Sequence, residues 1–195
     1  STLGILEPAQ VTDVARSANI SKTEAAQIAI DLAKERRLIT LQGQGGYMFS
    51  AEGWMTLTTR VEHELLQYHR KFPLRDAMPS QELRSRLRLP VPPFAQTVAL
   101  LAEQGILKTK ESSVHLPDHK VMLTSDQEEV ATQYMDLLAQ TPYSPPTDSP
   151  LVPDLLQVLI DREDVVKADH DVVFLKSAFE DMASKVRVLA IQRKS

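Results

Sequence analysis

One order of hydrophobic and polar segments occurs three times along the chain. Each copy has a helical run, a short apolar strand, a polar turn, a second short strand and then another helix. The first strands of the copies begin at Leu38, Ile106 and Val165, which are 68 and 59 residues apart. Because a repeat of this length is one supersecondary unit, the pattern predicts modules in which short helices precede a β-hairpin.

The first copy shows the helical part of such a module. A short amphipathic stretch, 11–18, precedes a turn, and Ser21 is predicted to cap a longer helix with Glu24 completing a capping box. One apolar stripe is predicted to be buried along that helix: Ala25, Ile28, Ala29 and Leu32. A short helix, a turn, a longer helix and a hairpin together make up a winged helix. We therefore predict a mainly α chain with small β-hairpin wings, formed by tandem winged-helix modules in an elongated array.

The second copy repeats this plan with an additional leading helix from about 51 to 70. Its predicted apolar face is Leu57, Val61, Leu65 and Leu66. Ser80 is predicted to cap a second helix containing Leu83 and Leu87. Pro92 and Pro93 are suited to the first turn of a third helix, where a missing N–H costs little, and the stripe of this helix is Phe94, Val98 and Leu101.

The third copy is shorter than the other two. A helix is predicted over 126–140, but the proline-rich segment 142–153 leaves space for a single helix, 154–160, before the wing. A final helix is predicted over 176–192. The predicted domains are 1–53, a winged helix whose first helix is short or cut, then 54–123, a complete winged helix, and 124–195, a shortened winged helix with a C-terminal helix.

Composition narrows the possible functions. The chain has a net charge of −4, which disfavours phosphate gripping by the whole surface, because such binding depends on a surplus of lysine and arginine. Cysteine is absent, which excludes disulfides and thiolate sites. No apolar run approaches the ~20 residues of a membrane helix. We expect a cytoplasmic protein without membrane contact. Since the chain does not begin with Met, we also expect it to be part of a longer polypeptide.

Motifs for catalysis and for metal binding are not found. The glycines match neither the phosphate-loop nor the dinucleotide pattern, and those of 43–46 are suited to a hairpin turn. His115 and His119 have helical spacing, but Pro117 lies between them, and His63 and His69 are too far apart on a helix to share a ligand. His170 has no partner of this kind either. We expect no catalytic residue, cofactor or metal ion in this region.

The most informative local feature is a basic segment. Residues 69–88 contain six lysines and arginines against two acidic residues. Four of these cations are candidate phosphate contacts in nucleic-acid binding: Lys71, Arg75, Arg84 and Arg86. The alternative interpretation is structural, with Arg84 and Arg86 on an outer helix face and Arg75 tying a loop to backbone carbonyls. The predicted third helix of the second module, 92–104, has no cation, which argues against major-groove reading.

The segment 68–87 resembles the selenocysteine-specific translation elongation factor family. The shared pattern is a His, an apolar-Pro-Leu-Arg group at 72–75, a tight turn before Met78, and a helix with Glu-Leu-Arg-x-Arg-Leu at 82–87. Weaker similarity extends to 143–146 and to the third wing. Ala77 stands where the family usually has glycine.

This resemblance implies a function in selenocysteine incorporation during protein biosynthesis. The chain would be part of the C-terminal winged-helix arm, which links a GTP-binding body to recognition of the selenoprotein mRNA hairpin. The hairpin would be bound through a further C-terminal module, and the ribosome and selenocysteyl-tRNA would be contacted through the parent GTPase. Two alternatives stay open: a winged-helix DNA-binding transcription regulator and a protein-interaction scaffold.

Overall fold

A computed structural model describes residues 8–147, 151–169 and 172–192. The described chain forms two compact units. Unit 1 contains Asp76–Lys120 and the described residues up to Phe72, and unit 2 contains Pro73–Arg75 and the described residues from Val121 onward. Both are mainly helical with small antiparallel sheets, which confirms the predicted mainly α fold with small β-hairpin wings. None of the described helices is long and apolar enough to cross a membrane.

The first module begins with a short strand and two helices. Its elements are β1 (Ala9–Gln10), α1 (Val11–Ala18), α2 (Lys22–Lys34), β2 (Leu38–Thr40) and β3 (Tyr47–Ser50). Asn19 ends α1 in the left-handed conformation, and Ser21 caps α2 by accepting a hydrogen bond from the Glu24 backbone N–H at 3.1 Å. The three strands form one sheet in the order β1-β3-β2, so β1 extends the wing.

The second module has the complete helix set. Its elements are α3 (Ala51–Lys71), β4 (Met78–Pro79), α4 (Ser80–Leu87), α5 (Val91–Glu103), β5 (Lys108–Lys110) and β6 (Ser113–His115). The strand order β4-β6-β5 repeats that of the first module. Pro92 lies in the first turn of α5, as predicted, where a proline needs no hydrogen-bond partner.

The third module makes up most of unit 2. Its elements are α6 (Ser125–Gln140), α7 (Pro153–Asp161), β7 (Val165–Lys167), β8 (Val173–Leu175) and α8 (Lys176–Gln192). Thr124 and Gln127 form a complete capping box at the start of α6. Residues 141–147 and 151–152 contain no helix, so the described residues have one helix between α6 and the wing. His170 of the predicted wing turn lies outside the described residues.

Each unit has its own hydrophobic core. In unit 1 a single cluster contains residues from both modules, with Leu41 and Phe49 from the first and Trp54, Leu83, Leu101 and Val114 among those from the second. In unit 2 the cluster is formed by Ala131, Tyr134, Leu138, Leu151, Leu155, Leu159, Val165 and Val173, with Leu74 packed against it. The predicted domain boundaries at 53/54 and 123/124 stay a prediction. Because a compact unit can contain more than one module, the division into two units does not show where each module ends.

Four local predictions were wrong. Glu24 does not complete a capping box, since within the described residues its side chain makes no return bond to Ser21. Ile28 is exposed, whereas Ala25 and Ala29 on the same helix are buried. Leu66 is exposed on the outer face of α3. Ser80 is the first residue of α4 rather than its cap, because Pro79 is held in β4 by pairing with Ser113.

Candidate nucleic-acid interface

The basic segment 69–88 comprises the end of α3, a connecting loop and α4. The loop turns at Ala77 without a left-handed residue, since its φ is negative. Glycine is therefore not required there, and the departure from the family pattern costs this backbone nothing. The four predicted phosphate contacts are divided between the two units: Arg75 belongs to unit 2, and Lys71, Arg84 and Arg86 belong to unit 1.

Arg86 is the most strongly bound of these cations. Its guanidinium donates to Glu82 Oε1 at 2.5 Å and to Glu64 Oε2 at 3.1 Å, and it lies 5.8 Å from the Tyr68 ring centroid. The hydrogen bond to Glu82 raises the pKa of Arg86 above its usual range, with the bond to Glu64 adding to the effect. Two carboxylates therefore balance this charge within the fold, and the side chain is only 29% exposed.

Arg75 is also held by a carboxylate. Its Nε donates to both oxygens of Asp154 at 3.2 Å, which ties the 73–75 segment to the first turn of α7 in unit 2. The structural alternative predicted backbone carbonyls as its acceptors, and the acceptor in this contact is a side chain instead.

Lys71 and Arg84 differ from this pair. Lys71 is exposed and its Nζ lies 5.3 Å from the Phe72 ring centroid. Arg84 is half-buried, and among the described residues its side chain makes no hydrogen bond or ion pair. These two cations are consequently the more available for an external phosphate. Phosphate binding by any of the four stays a prediction.

The helix at the recognition position of the second module is bonded to the first wing. Gln96 of α5 donates from its Nε2 to the carbonyl oxygen of Gln44 in the wing turn at 2.8 Å. Within the second module, Trp54 Nε1 of α3 donates to Gln104 Oε1, just after α5, at 3.0 Å. At Gly43, with φ +122°, an added Cβ would lie 2.9 Å from Gln96 Nε2. The wing turn thus contacts the end of the Gln96 side chain at a glycine whose backbone has a positive φ.

In the first module, acidic neighbours hold two of the four cations at and near α2. Lys34 bonds Asp31 at 3.0 Å, and Arg37 bonds Glu35 at 3.2 Å. The bond from Lys34, followed by one from Gln27, lowers the pKa of Asp31. These are exposed pairs, which contribute little stability but reduce the positive potential that DNA would meet.

The structure also pairs histidines in a way that the sequence did not indicate. His69 is buried, its Nε2 accepts from the Leu116 backbone N–H at 3.4 Å, and its ring stacks on His119 with centroids 3.5 Å apart. From sequence spacing, the pairs considered as metal ligands were His63 with His69 and His115 with His119. No group of three or more potential ligands is placed to hold a metal ion in the part of the chain that the structure describes.

Comparison with protein families gives one match over this region. Residues 63–116 match the family model described as elongation factor SelB, winged helix. The match covers about a quarter of the chain and runs from the middle of α3 to the end of the second wing. No curated protein matches the chain.

Proposed function

We propose that the chain is a structural part of the C-terminal arm of a SelB-type elongation factor, on the basis of the match of residues 63–116 to the winged helix of that family. The winged-helix domain of this family is non-catalytic. In the proposed function, the chain holds an RNA-recognition module, further along the polypeptide, at a fixed position relative to the GTPase body. It takes part in selenocysteine incorporation without performing chemistry itself.

The observation that carries this proposal is that α5 has no cation and is bonded to the first wing. In a winged helix that reads nucleic acid, this helix needs exposed Arg, Lys or Asn side chains. Here α5 has no cation, and its residue Gln96 is bonded to the first wing. A helix at the reading position that lacks cations and bonds to the neighbouring module supports a role in joining the two modules.

Two further observations favour a spacer over a nucleic-acid reader. The net charge of −4 opposes general attraction to phosphates. Arg86, the central cation of the basic segment, is balanced by Glu64 and Glu82 and stabilises the α3–α4 contact. Arg60 reinforces this contact by donating to the Arg86 carbonyl oxygen at 2.6 Å.

Binding of the chain to three nucleic acids tests the proposal. The ligands are a selenoprotein mRNA hairpin, a scrambled hairpin of the same length and a DNA duplex, each at low and near-physiological salt. A spacer with a small basic patch binds all three weakly and loses binding as salt rises, because only counterion release drives it. Duplex-selective binding would instead favour the transcription-regulator alternative, and absence of binding at any salt would favour the protein scaffold.

Variants of the available cations sharpen this test. We expect Lys71→Gln with Arg84→Gln to flatten the salt dependence of the residual binding, each lost phosphate contact reducing the slope by about 0.7–0.9. Lys22→Gln, on the exposed start of α2, is the matched control, and the proposed patch requires that it have a smaller effect.

A further inference from the structure

A pocket of about 480 Å³ lies on unit 1 beside the family-matched segment. It is bounded by one face of α3, by the turn after α5 and by the segment that follows β6. Its volume lies in the range of small-ligand sites, ~300–1,000 Å³. The lining residues are Glu62, Leu66, His69, Gly105, Ile106, Leu116, Pro117, Asp118 and His119.

The pocket combines apolar walls with a stacked aromatic pair. Leu66 and Ile106 are incompletely covered by the fold, and Leu66 is one of the large hydrophobic residues that the core leaves exposed. The half-buried ring of His119 stacks on the buried His69 with 15° between ring planes, so the planar His119 ring lines the pocket. Gly105 leaves the pocket open at one side, since nothing lies within 4 Å of the position of a Cβ there.

The charge at this pocket is negative. Glu62 and Asp118 are exposed, and neither side chain makes a hydrogen bond or ion pair within the described residues. A cation also contacts a lining residue, since Lys108 Nζ lies 3.5 Å from the Pro117 carbonyl oxygen. A phosphate or carboxylate ligand would face two carboxylates here, and a cation would be attracted by them.

We propose that this pocket binds an arginine side chain of a protein partner. A guanidinium is planar and weakly hydrated, so it stacks on a flat ring while its N–H groups donate to carboxylates. The methylene groups of the side chain contact the apolar wall of Leu66 and Ile106. An ammonium group shares the charge but not the flat shape, so lysine binds less tightly.

NMR titration of the complete chain tests this inference. The probes are N-acetyl-arginine methylamide, the corresponding lysine compound and AMP. We expect the arginine probe to shift the methyl signals of Leu66 and Ile106 and the ring signals of His119 in a saturable way, with a dissociation constant of about 1–10 mM. The lysine probe should bind several-fold more weakly.

A charge-neutralised variant locates the binding. We expect Glu62→Gln with Asp118→Asn to weaken arginine binding about fivefold or more. Glu52→Gln, which removes an exposed acid from the same helix outside the pocket, should leave it unchanged. Unchanged circular dichroism and an unchanged unfolding midpoint would show that both proteins remain folded.

Several results would overturn the inference: equal binding of the lysine probe, no effect of the double variant, or no saturable shift up to about 50 mM arginine probe. Tighter binding of AMP at the same signals would assign the pocket to a nucleotide. None of these results depends on hairpin binding. The arginine-binding inference can therefore fail while the spacer function stands, and the spacer function can fail while the inference stands.

Discussion

Replacement of Arg86 by methionine tests whether this cation stabilises the fold or is available for RNA. The substitution keeps much of the side-chain length and removes both bonds to Glu64 and Glu82. It also leaves two carboxylates beside each other without their shared cation. We expect a loss of free energy of unfolding confined to unit 1.

The magnitude follows from the exposure of the three groups. Charge-assisted hydrogen bonds contribute about 1.5–3 kcal/mol when buried, and fully exposed ion pairs about 0–1 kcal/mol. Arg86 and Glu64 are 29% and 23% exposed, and Glu82 is 38% exposed, so a value of about 0.5–1 kcal/mol for each bond is appropriate. The contact with the Tyr68 ring adds about 0.5 kcal/mol. The expected total loss is about 1.5–2.5 kcal/mol.

Urea unfolding followed by tryptophan fluorescence measures this loss. Trp54 is the single tryptophan and is buried in the core of unit 1, so its emission reports on that unit. With a slope of about 2 kcal/mol/M, the midpoint should fall by about 1 M urea. Arg84→Met is the control, and its change should stay within about 0.5 kcal/mol because its side chain makes no ion pair in the described fold.

A double-mutant cycle separates the ion pair from other effects of the substitution. Combining Arg86→Met with Glu64→Gln should give a coupling energy of about 0.5–1 kcal/mol. If Arg86→Met were no more destabilising than Arg84→Met and the coupling were near zero, the structural interpretation of Arg86 would be refuted. Its side chain would then be available for phosphate.

Three other perturbations have defined outcomes. The hydrogen bond from Lys110 lowers the pKa of Asp76. The stability that this pair contributes is therefore present above the unfolded pKa, near 3.9, and is lost as pH falls through the lower folded pKa. Asp76→Asn should be less stable than the unmodified chain at pH 7, and its urea midpoint should fall less between pH 5 and pH 3. Leu138→Ala should destabilise unit 2 by about 2–5 kcal/mol in a circular-dichroism melt, whereas the neighbouring Leu137→Ala should cost under about 1 kcal/mol, since Leu138 is buried and Leu137 is exposed. Gly43→Ala should cost unit 1 about 1–3 kcal/mol in urea unfolding, because its φ of +122° is strained for alanine, and a smaller cost would show that the wing turn can relax.

Helices with local signals could be predicted from the sequence almost residue by residue. Val11–Ala18 and Lys176–Gln192 have the predicted bounds, and α3 extends one residue beyond its predicted end. These elements are defined by caps, turns and apolar periodicity within one stretch of chain. The fold class followed from repetition of the same local pattern.

Features that depend on distant pairing were missed. Strands β1 and β4 have two residues each, and they form only because Ala9 pairs with Met48 and Met78 with Val114. The stacking of His69 on His119 joins residues fifty positions apart. In the basic segment, the contact of Arg86 with Glu82 has helical i, i+4 spacing and could have been anticipated, whereas its contact with Glu64 required the packing of α4 on α3.

The ratio of the dissociation constants for a scrambled and a native selenoprotein mRNA hairpin, measured for this chain at near-physiological salt, tests the central claim most directly. A structural arm whose α5 has no cation does not read RNA sequence, so we predict a ratio close to one and weak binding to both hairpins. A ratio of about 100 or more, corresponding to about 2.7 kcal/mol of discrimination, would place the hairpin reader within these residues and contradict the account.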